Sequence, residues 1–201
     1  MVHTYLFDLD GTLIDKRIYR EIHGRVIAEI IKHLNLTNEE IFTRAKDANV
    51  SRNDDGTWDS GELCRALGLL DVYYEILNNH VVTSNVLCAD VKDVLRQLKQ
   101  NGKTIGVVSN SMRRTIHLYM RKYQLSQYID FIFSIDDAEC KKDSLDYWGK
   151  LIKQKNLVPE RCIMIGDDVE NDITIPKSFG FQTFFIENNN IKEIMKKSIY
   201  V

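Results

Sequence analysis

A chain of 201 residues that is 44% apolar and 28% charged has the composition of a globular protein able to bury a sizeable core. Its formal net charge of −2 leaves no general attraction for nucleic acid or for an anionic membrane surface. No apolar run approaches the roughly 20 residues that cross a bilayer, and Asp8 and Asp10 interrupt any apolar leader, so neither a membrane span nor a signal peptide is expected. The four cysteines (Cys64, Cys88, Cys140, Cys162) are far apart and form no CxxC pair, which points to reduced thiols and a cytoplasmic protein.

Val2 to Phe7 alternates and then fills with apolar and aromatic residues, the pattern of a strand buried in a sheet. It runs into Asp8-Leu9-Asp10-Gly11-Thr12-Leu13. Asp8 and Asp10 stand two apart, so an extended backbone sends both carboxylates to the same side. Like charges so close cost energy unless a cation or a shared proton offsets them. Gly11 then permits a tight turn. Lys16 to Leu34 reads as a helix with Ile18, Ile22, Val26, Ile30 and Ile31 on one face, and Thr37-Asn38-Glu39-Glu40 starts a second with capping chemistry. A polar loop over Ser51 to Ser60 turns at Asp55-Gly56, and helical patterning returns over Glu62 to Leu70 and Val72 to Asn79. No buried strand is expected from Lys16 to about Val82. A helical block set between strands implies an inserted domain over 16–83, with 1–15 and 84–201 forming the core.

Beyond Val86 the pattern alternates. Asp90 to Gln100 is an amphipathic helix stopped by Asn101-Gly102, and Thr104 to Val108 is a buried strand ending in Ser109-Asn110-Ser111. Helices are expected at Arg113 to Tyr123 and Asp143 to Lys155, and strands at Phe131 to Phe133 and Cys162 to Ile165. The second of these strands runs into Gly166-Asp167-Asp168. A short helix reaching Phe179-Gly180, a strand over Thr183 to Ile186 and a helix over Ile191 to Ser198 complete the chain. Such alternation predicts an α/β fold, a parallel sheet with helices on both faces. Right-handed crossovers gather the carboxyl ends of its strands at one edge. Three of those ends carry polar groups: Asp8/Asp10, Ser109/Asn110 and Asp167/Asp168. Their joint occurrence predicts a site there.

Asp8, Asp10 and Asp167 offer hard oxygen ligands, which suit Mg²⁺ better than a soft metal. A carboxylate is also a competent nucleophile toward phosphorus. Asp10, one step beyond Asp8, is placed to protonate a leaving alcohol and later to activate water. Ser109 and the N–H groups after it would hold phosphoryl oxygens at a helix N-terminus. One lysine, Lys141 or Lys142, would complete the charge clamp.

Four motifs in order now carry a resemblance. Asp8-Leu9-Asp10-Gly11-Thr12-Leu13, Val107-Val108-Ser109-Asn110, Lys141-Lys142-Asp143 through Tyr147, and Gly166-Asp167-Asp168 with Asn171-Asp172 resemble the four motifs of the haloacid dehalogenase (HAD) superfamily. The resemblance implies a Rossmann-like core with a small α-helical cap inserted after the first motif, which closes over the site. It makes Asp8 the nucleophile and Asp10 the acid/base, whose backbone carbonyl also meets the metal. Ser109 and Lys141 bind the phosphoryl group, with Gly11, Thr12 and Asn110 beside them. Asp167 is the outer ligand of Mg²⁺, and Asp172 is a supporting acid with Asp168 as its alternative. Asp10 stands where the dehalogenase branch has an aromatic residue, so phosphoryl chemistry is implied: a Mg²⁺-dependent phosphatase acting on a small phosphorylated metabolite. A phosphomutase is the enzyme alternative. A phospho-accepting receiver module has similar groups, but in the reverse order along the chain.

Two departures stand out. Lys142 and Ser144 occupy positions where the family often has proline, and Pro176 and Phe179 replace small residues common after the fourth motif. Elsewhere, Ser51 to Glu62 partly matches an EF-hand loop through Asn53, Asp55, Gly56, Asp59 and Glu62, although position one is Ser51. The competing reading is a solvated turn with Asp59 and Glu62 as a capping box, or a specificity segment presenting Arg52 or Trp58. Arg17, Arg20 and His23 form a basic helix face whose default role is solvation.

Overall fold

The computed structural model describes residues 2–53, 55–187 and 190–196. The chain divides into two compact units, one of Met1–Asp15 with Leu87–Val201 and the other of Lys16–Val86. The first is an α/β unit built on a five-stranded sheet: β1 (Thr4–Phe7), β2 (Thr104–Val108), β3 (Phe131–Phe133), β4 (Cys162–Gly166) and β5 (Gln182–Phe185), in the order β3-β2-β1-β4-β5. Every pairing is parallel, and Leu6 at the centre lies beside Gly106 on one side and Met164 on the other. All four residues of β1 are buried, as a strand covered on both faces requires. Gly106 is needed for packing, because a Cβ there would overlap the ring of Phe131 on the adjacent strand.

The second unit holds α1 (Arg17–Leu34), α2 (Asn38–Asp47), α3 (Ser60–Ala66) and α4 (Leu70–Thr83). Helix α1 buries Ile18, Ile22, Val26 and Ile30, the spacing that the sequence marked, and it stops where Asn35 turns left-handed at φ 51°. Thr37 and Glu40 form a complete capping box at α2, each side chain accepting the other's backbone N–H. Helix α3 begins earlier and α4 ends later than the periodicity alone indicated, because Asp59 caps Glu62 N–H at 2.7 Å and the apolar stripe of α4 continues through Val81.

Around the sheet lie α5 (Val91–Gln100), α6 (Arg113–Lys122), α7 (Ile135–Ala138), α8 (Leu145–Lys155) and α9 (Ile175–Ser178). Helix α5 buries Val91, Val94, Leu95 and Leu98. The one-turn helix α7, started by a capping box from Ser134 and Asp137, is too short for periodicity to predict. The backbone over Val169–Thr174 is a π-helical turn leading into α9, where a single short helix was expected. The expected closing helix is a 3₁₀ turn over Ile191–Met195, and the end of that expectation lies outside the described residues. No helix among the described residues is long and apolar enough to cross a membrane, and none of the four cysteines is in a disulfide. Under the strand ends, Phe133, Tyr147, Trp148 and Phe181 form a chain of edge-on ring contacts with centroids 5.1, 5.7 and 5.7 Å apart. This aromatic floor carries the loop that enters the site.

Candidate active site

The first motif leaves the sheet abruptly. Asp8 N–H still bonds to Ile165 O at 2.8 Å, but Leu13 and Ile14 both donate back to Leu9 O, closing a tight turn. Gly11 makes that turn at φ +89°, and a Cβ there would run into the carboxylate of Asp167. A similar clearance serves β4, where a Cβ on Gly166 would overlap the Asp172 side chain. Both glycines are therefore spaces that carboxylates fill.

Asp8 is 8% exposed, and its Oδ1 accepts from Lys142 Nζ at 2.5 Å. The same ammonium donates to Asp172 Oδ1 at 2.8 Å. Asp8, Asp167 and Asp172 each bring one carboxylate oxygen within 4.8 Å of the others, the group that could hold a metal ion among the described residues. Burial pushes the Asp8 carboxyl well up from its ordinary range; Lys142 opposes this, while the charges of Asp172 and Asp10 add to it. Burial works against the charge on Lys142, but Asp172 and Asp8 outweigh it and raise its pKa. A lone buried ammonium would be costly. Here the carboxylates of Asp8 and Asp172 hold it in place.

The carboxylate of Asp10 accepts the Ser111 hydroxyl at 2.7 Å. Strand β1 ends at Phe7, and Asp10 beyond it forms an isolated bridge with Ile14. Asp10 still lies near enough for its charge to act on Asp8. Buried Ser109 accepts Ser111 N–H on its hydroxyl at 2.9 Å. Thr12 is buried too, and its hydroxyl has no hydrogen-bond partner.

The expectation of Lys141 as the lysine of the site is corrected: the neighbouring Lys142 reaches Asp8. Its peptide group is gripped on both sides, with Asn110 Oδ1 accepting Lys142 N–H at 2.8 Å and Trp148 Nε1 donating to Lys142 O at 2.8 Å. That grip turns the Lys142 side chain inward, where it is 2% exposed, and leaves Lys141 half-buried. Asn110 is thus engaged in placing the lysine. The Tyr147 hydroxyl ties the adjoining loops by sharing its one proton between Ser109 O and Phe133 O, both at 3.1 Å.

Of the two supporting acids, Asp172 stands inside the cluster and Asp168 beside it. Asp168 caps the π-helical turn, accepting Glu170 N–H and Asn171 N–H at 2.9 Å each. Burial disfavours its charge, but the Asn171 and Glu170 donors prevail and hold its carboxyl below the ordinary range. Asp172 was legible as an acid after the fourth motif; its contact with Lys142 arises from the fold. Ser111 carries no signal in the sequence beyond its place two residues after Ser109, and the fold brings it to Asp10.

The 51–62 loop forms no metal-binding group among the described residues. Its acids bond to its own backbone: Glu62 accepts Ser51 N–H at 2.7 Å, Asp55 accepts Thr57 N–H at 3.0 Å, and Asp59 caps α3. Arg52 lies 3.8 Å from the Trp58 ring centroid within the same loop.

Comparison with known proteins agrees with the strand-end motifs. The family model for haloacid dehalogenase-like hydrolases matches residues 5–186. The pyrophosphatase PpaX of Bacillus cereus is 24% identical over 183 residues, covering 90% of this chain and 82% of its own. A HAD phosphatase from Thermococcus onnurineus shares the fold at a TM-score of 0.71 and 21% identity, covering 94% of this chain and 87% of that one. YfnB of Bacillus subtilis, a HAD-hydrolase structure bound to magnesium, gives 0.63 at 20% identity, with 92% and 86% covered.

Proposed function

The chain belongs to the haloacid dehalogenase-like hydrolase family, and we propose that it is a phosphatase that hydrolyses a small phosphorylated metabolite, a phosphate monoester, through an aspartyl-phosphate on Asp8. The observation that carries this reading is the buried Lys142–Asp8 contact of 2.5 Å beside two further carboxylates at the end of the central strand. A nucleophilic carboxylate needs a cation to receive an anionic phosphoryl group without repulsion.

The residues fit Mg²⁺. The cluster supplies hard oxygens alone, with no thiolate or imidazole among them, and Gly11 leaves room for Asp167 to approach. Asp8 and Asp167 would hold the ion, with the Asp10 carbonyl as a further ligand. When bound, it neutralises the carboxylate and the phosphoryl oxygens.

The chain's own residues then divide the work. An oxygen of Asp8 attacks phosphorus, the bond from phosphorus to the ester oxygen breaks, and protonated Asp10 gives its proton to the departing alkoxide. Asp10, now a carboxylate, takes a proton from water as the water oxygen attacks the acyl phosphate. That step releases inorganic phosphate and restores Asp8. Ser111 holds the Asp10 carboxyl by its hydroxyl. Lys142 and Ser109 bind the phosphoryl oxygens, and the unpartnered Thr12 hydroxyl offers another contact.

The test is hydrolysis of p-nitrophenyl phosphate and a panel of sugar phosphates and nucleotides, with Mg²⁺ and with EDTA. Turnover is expected with Mg²⁺ alone, and Asp8→Asn should lower it by about 10⁴-fold or more. Mg²⁺ should also raise the melting temperature of the wild type and not of Asp167→Asn. Full activity in Asp8→Asn, or turnover indifferent to EDTA, defeats the reading.

A further inference from the structure

Trp148 is fully buried on α8, six positions after the lysine of the site. Its ring makes edge-on contacts with Tyr147 and Phe181, each at a centroid distance of 5.7 Å. Leu6 of β1 and Met164 of β4 belong to the same buried cluster. A ring packed this closely keeps one orientation, so the core sets the direction of its N–H. That N–H donates to Lys142 O at 2.8 Å. A phenyl ring would keep the apolar contacts and lose the donor.

The loop that carries Lys142 has no covalent stiffening. The chain's two prolines, Pro159 and Pro176, lie outside it. Lysine adds a flexible four-carbon stem, so the aim of its ammonium starts from the direction of the Cα–Cβ bond. That direction is fixed when the peptide planes before and after the residue are both held. Asn110 Oδ1 holds the first by accepting Lys142 N–H, and Trp148 Nε1 holds the second through Lys142 O, each at 2.8 Å. The far end of the same side chain meets Asp8 and Asp172 at 2.5 and 2.8 Å.

We propose that Trp148 is a positioning residue for phosphoryl transfer: its indole N–H, aimed by the aromatic core, fixes the backbone of Lys142 so that the ammonium stands against Asp8. The proposal rests on the phosphatase reading and extends it from the groups that meet phosphate to one that acts through Lys142. A purely structural role, satisfying a buried carbonyl, would cost stability without acting through the lysine. The two roles differ in whether the effect of Trp148 survives once the lysine is gone.

A double-mutant cycle decides between them, with Mg²⁺-supported turnover of p-nitrophenyl phosphate compared in the wild type, Trp148→Phe, Lys142→Met and the double variant. Trp148→Phe should lower kcat/KM by about tenfold or more, on the scale of a misplaced binding group. In the Lys142→Met background the same change should alter it by less than about twofold. If Trp148→Phe unfolds, Trp148→β-(3-benzothienyl)alanine, which puts sulfur in place of the N–H at nearly the same volume, takes its place. Independently of turnover, an amine-reactive ester applied in EDTA and read residue by residue by mass spectrometry should label Lys142 several-fold faster in Trp148→Phe than in the wild type. Equal losses of kcat/KM in both backgrounds, or unchanged labelling, overturn the proposal. The labelling difference without any wild-type turnover would defeat the phosphatase reading and leave the hold of Trp148 on Lys142 standing.

Discussion

The carboxylates at the strand ends and those of the 51–62 loop are alike in type and density, yet the fold uses them in opposite ways. Asp8, Asp167 and Asp172 come from positions far apart in sequence and meet within 4.8 Å, where Lys142 bridges two of them. Asp55, Asp59 and Glu62 are near neighbours and each accepts a backbone N–H a few residues away or across the loop. Local acids find local donors and end as turns and caps. Of the acids brought together by strand crossovers, Asp172 takes one backbone N–H, from Asp168 at 3.2 Å, and gives its other oxygen to Lys142. What remains to offset them is a lysine, a proton or a cation. The difference sets the strand ends apart as the candidate site from a loop whose described acids serve turns and a cap.

The largest effect separates the two directly. Asp8→Asn should remove phosphatase turnover by about 10⁴-fold or more, whereas Asp59→Asn should leave kcat close to the wild type. Equal losses would erase the distinction. Next comes Lys142→Met, which leaves Asp8 and Asp172 facing each other in a buried setting. Removing one partner of a buried ion pair costs about 3–5 kcal/mol, to be read from the urea midpoint in EDTA. Lys141→Met, one residue away, should cost far less. A reversed order would return the site lysine to position 141.

These two lysines also show how far the sequence reaches. The parallel strands were legible because residues covered on both faces must be apolar, and β1, β2 and β4 read as unbroken apolar runs. Asp8, Ser109 and Asp167 followed from the rule that crossovers bring strand ends to one edge. Neighbours such as Lys141 and Lys142 differ only in which way the peptide between them is turned. That is decided by Asn110 and Trp148, 32 positions before and six after Lys142. The Ser111 contact of Asp10 depends on how the chain leaves β1 after Phe7, which spacing alone does not carry. Helix α7 escaped because a four-residue helix shows no periodicity, although Ser134 and Asp137 carry its capping signature.

The two smaller effects examine the loop. Asp59→Ala removes the acceptor for Glu62 N–H at the start of α3 and should cost about 1 kcal/mol, the usual worth of an N-cap. No divalent ion should restore it, since the lost bond is to backbone and not to metal.

Asp55 gives the last contrast through pH. The Thr57 hydroxyl and N–H both donate to its Oδ1, at 2.6 and 3.0 Å, and hold its carboxyl below the ordinary range. A folded pKa below the unfolded value of about 3.9 means that the unfolded chain binds the proton more readily. The stabilisation is therefore complete above the unfolded pKa and lost as pH falls through the folded one. Urea midpoints of the wild type and Asp55→Asn, compared from about pH 6 down to about pH 2, should differ by a constant amount at the upper end and converge toward the lower. Asparagine keeps an acceptor for Thr57 and loses only the charge, so convergence isolates the titration from the turn. A gap that stayed constant to the acid limit would mean that Asp55 titrates alike folded and unfolded. The loop's acids would then not be engaged by their own backbone, and the contrast with Asp8 would lose its local half.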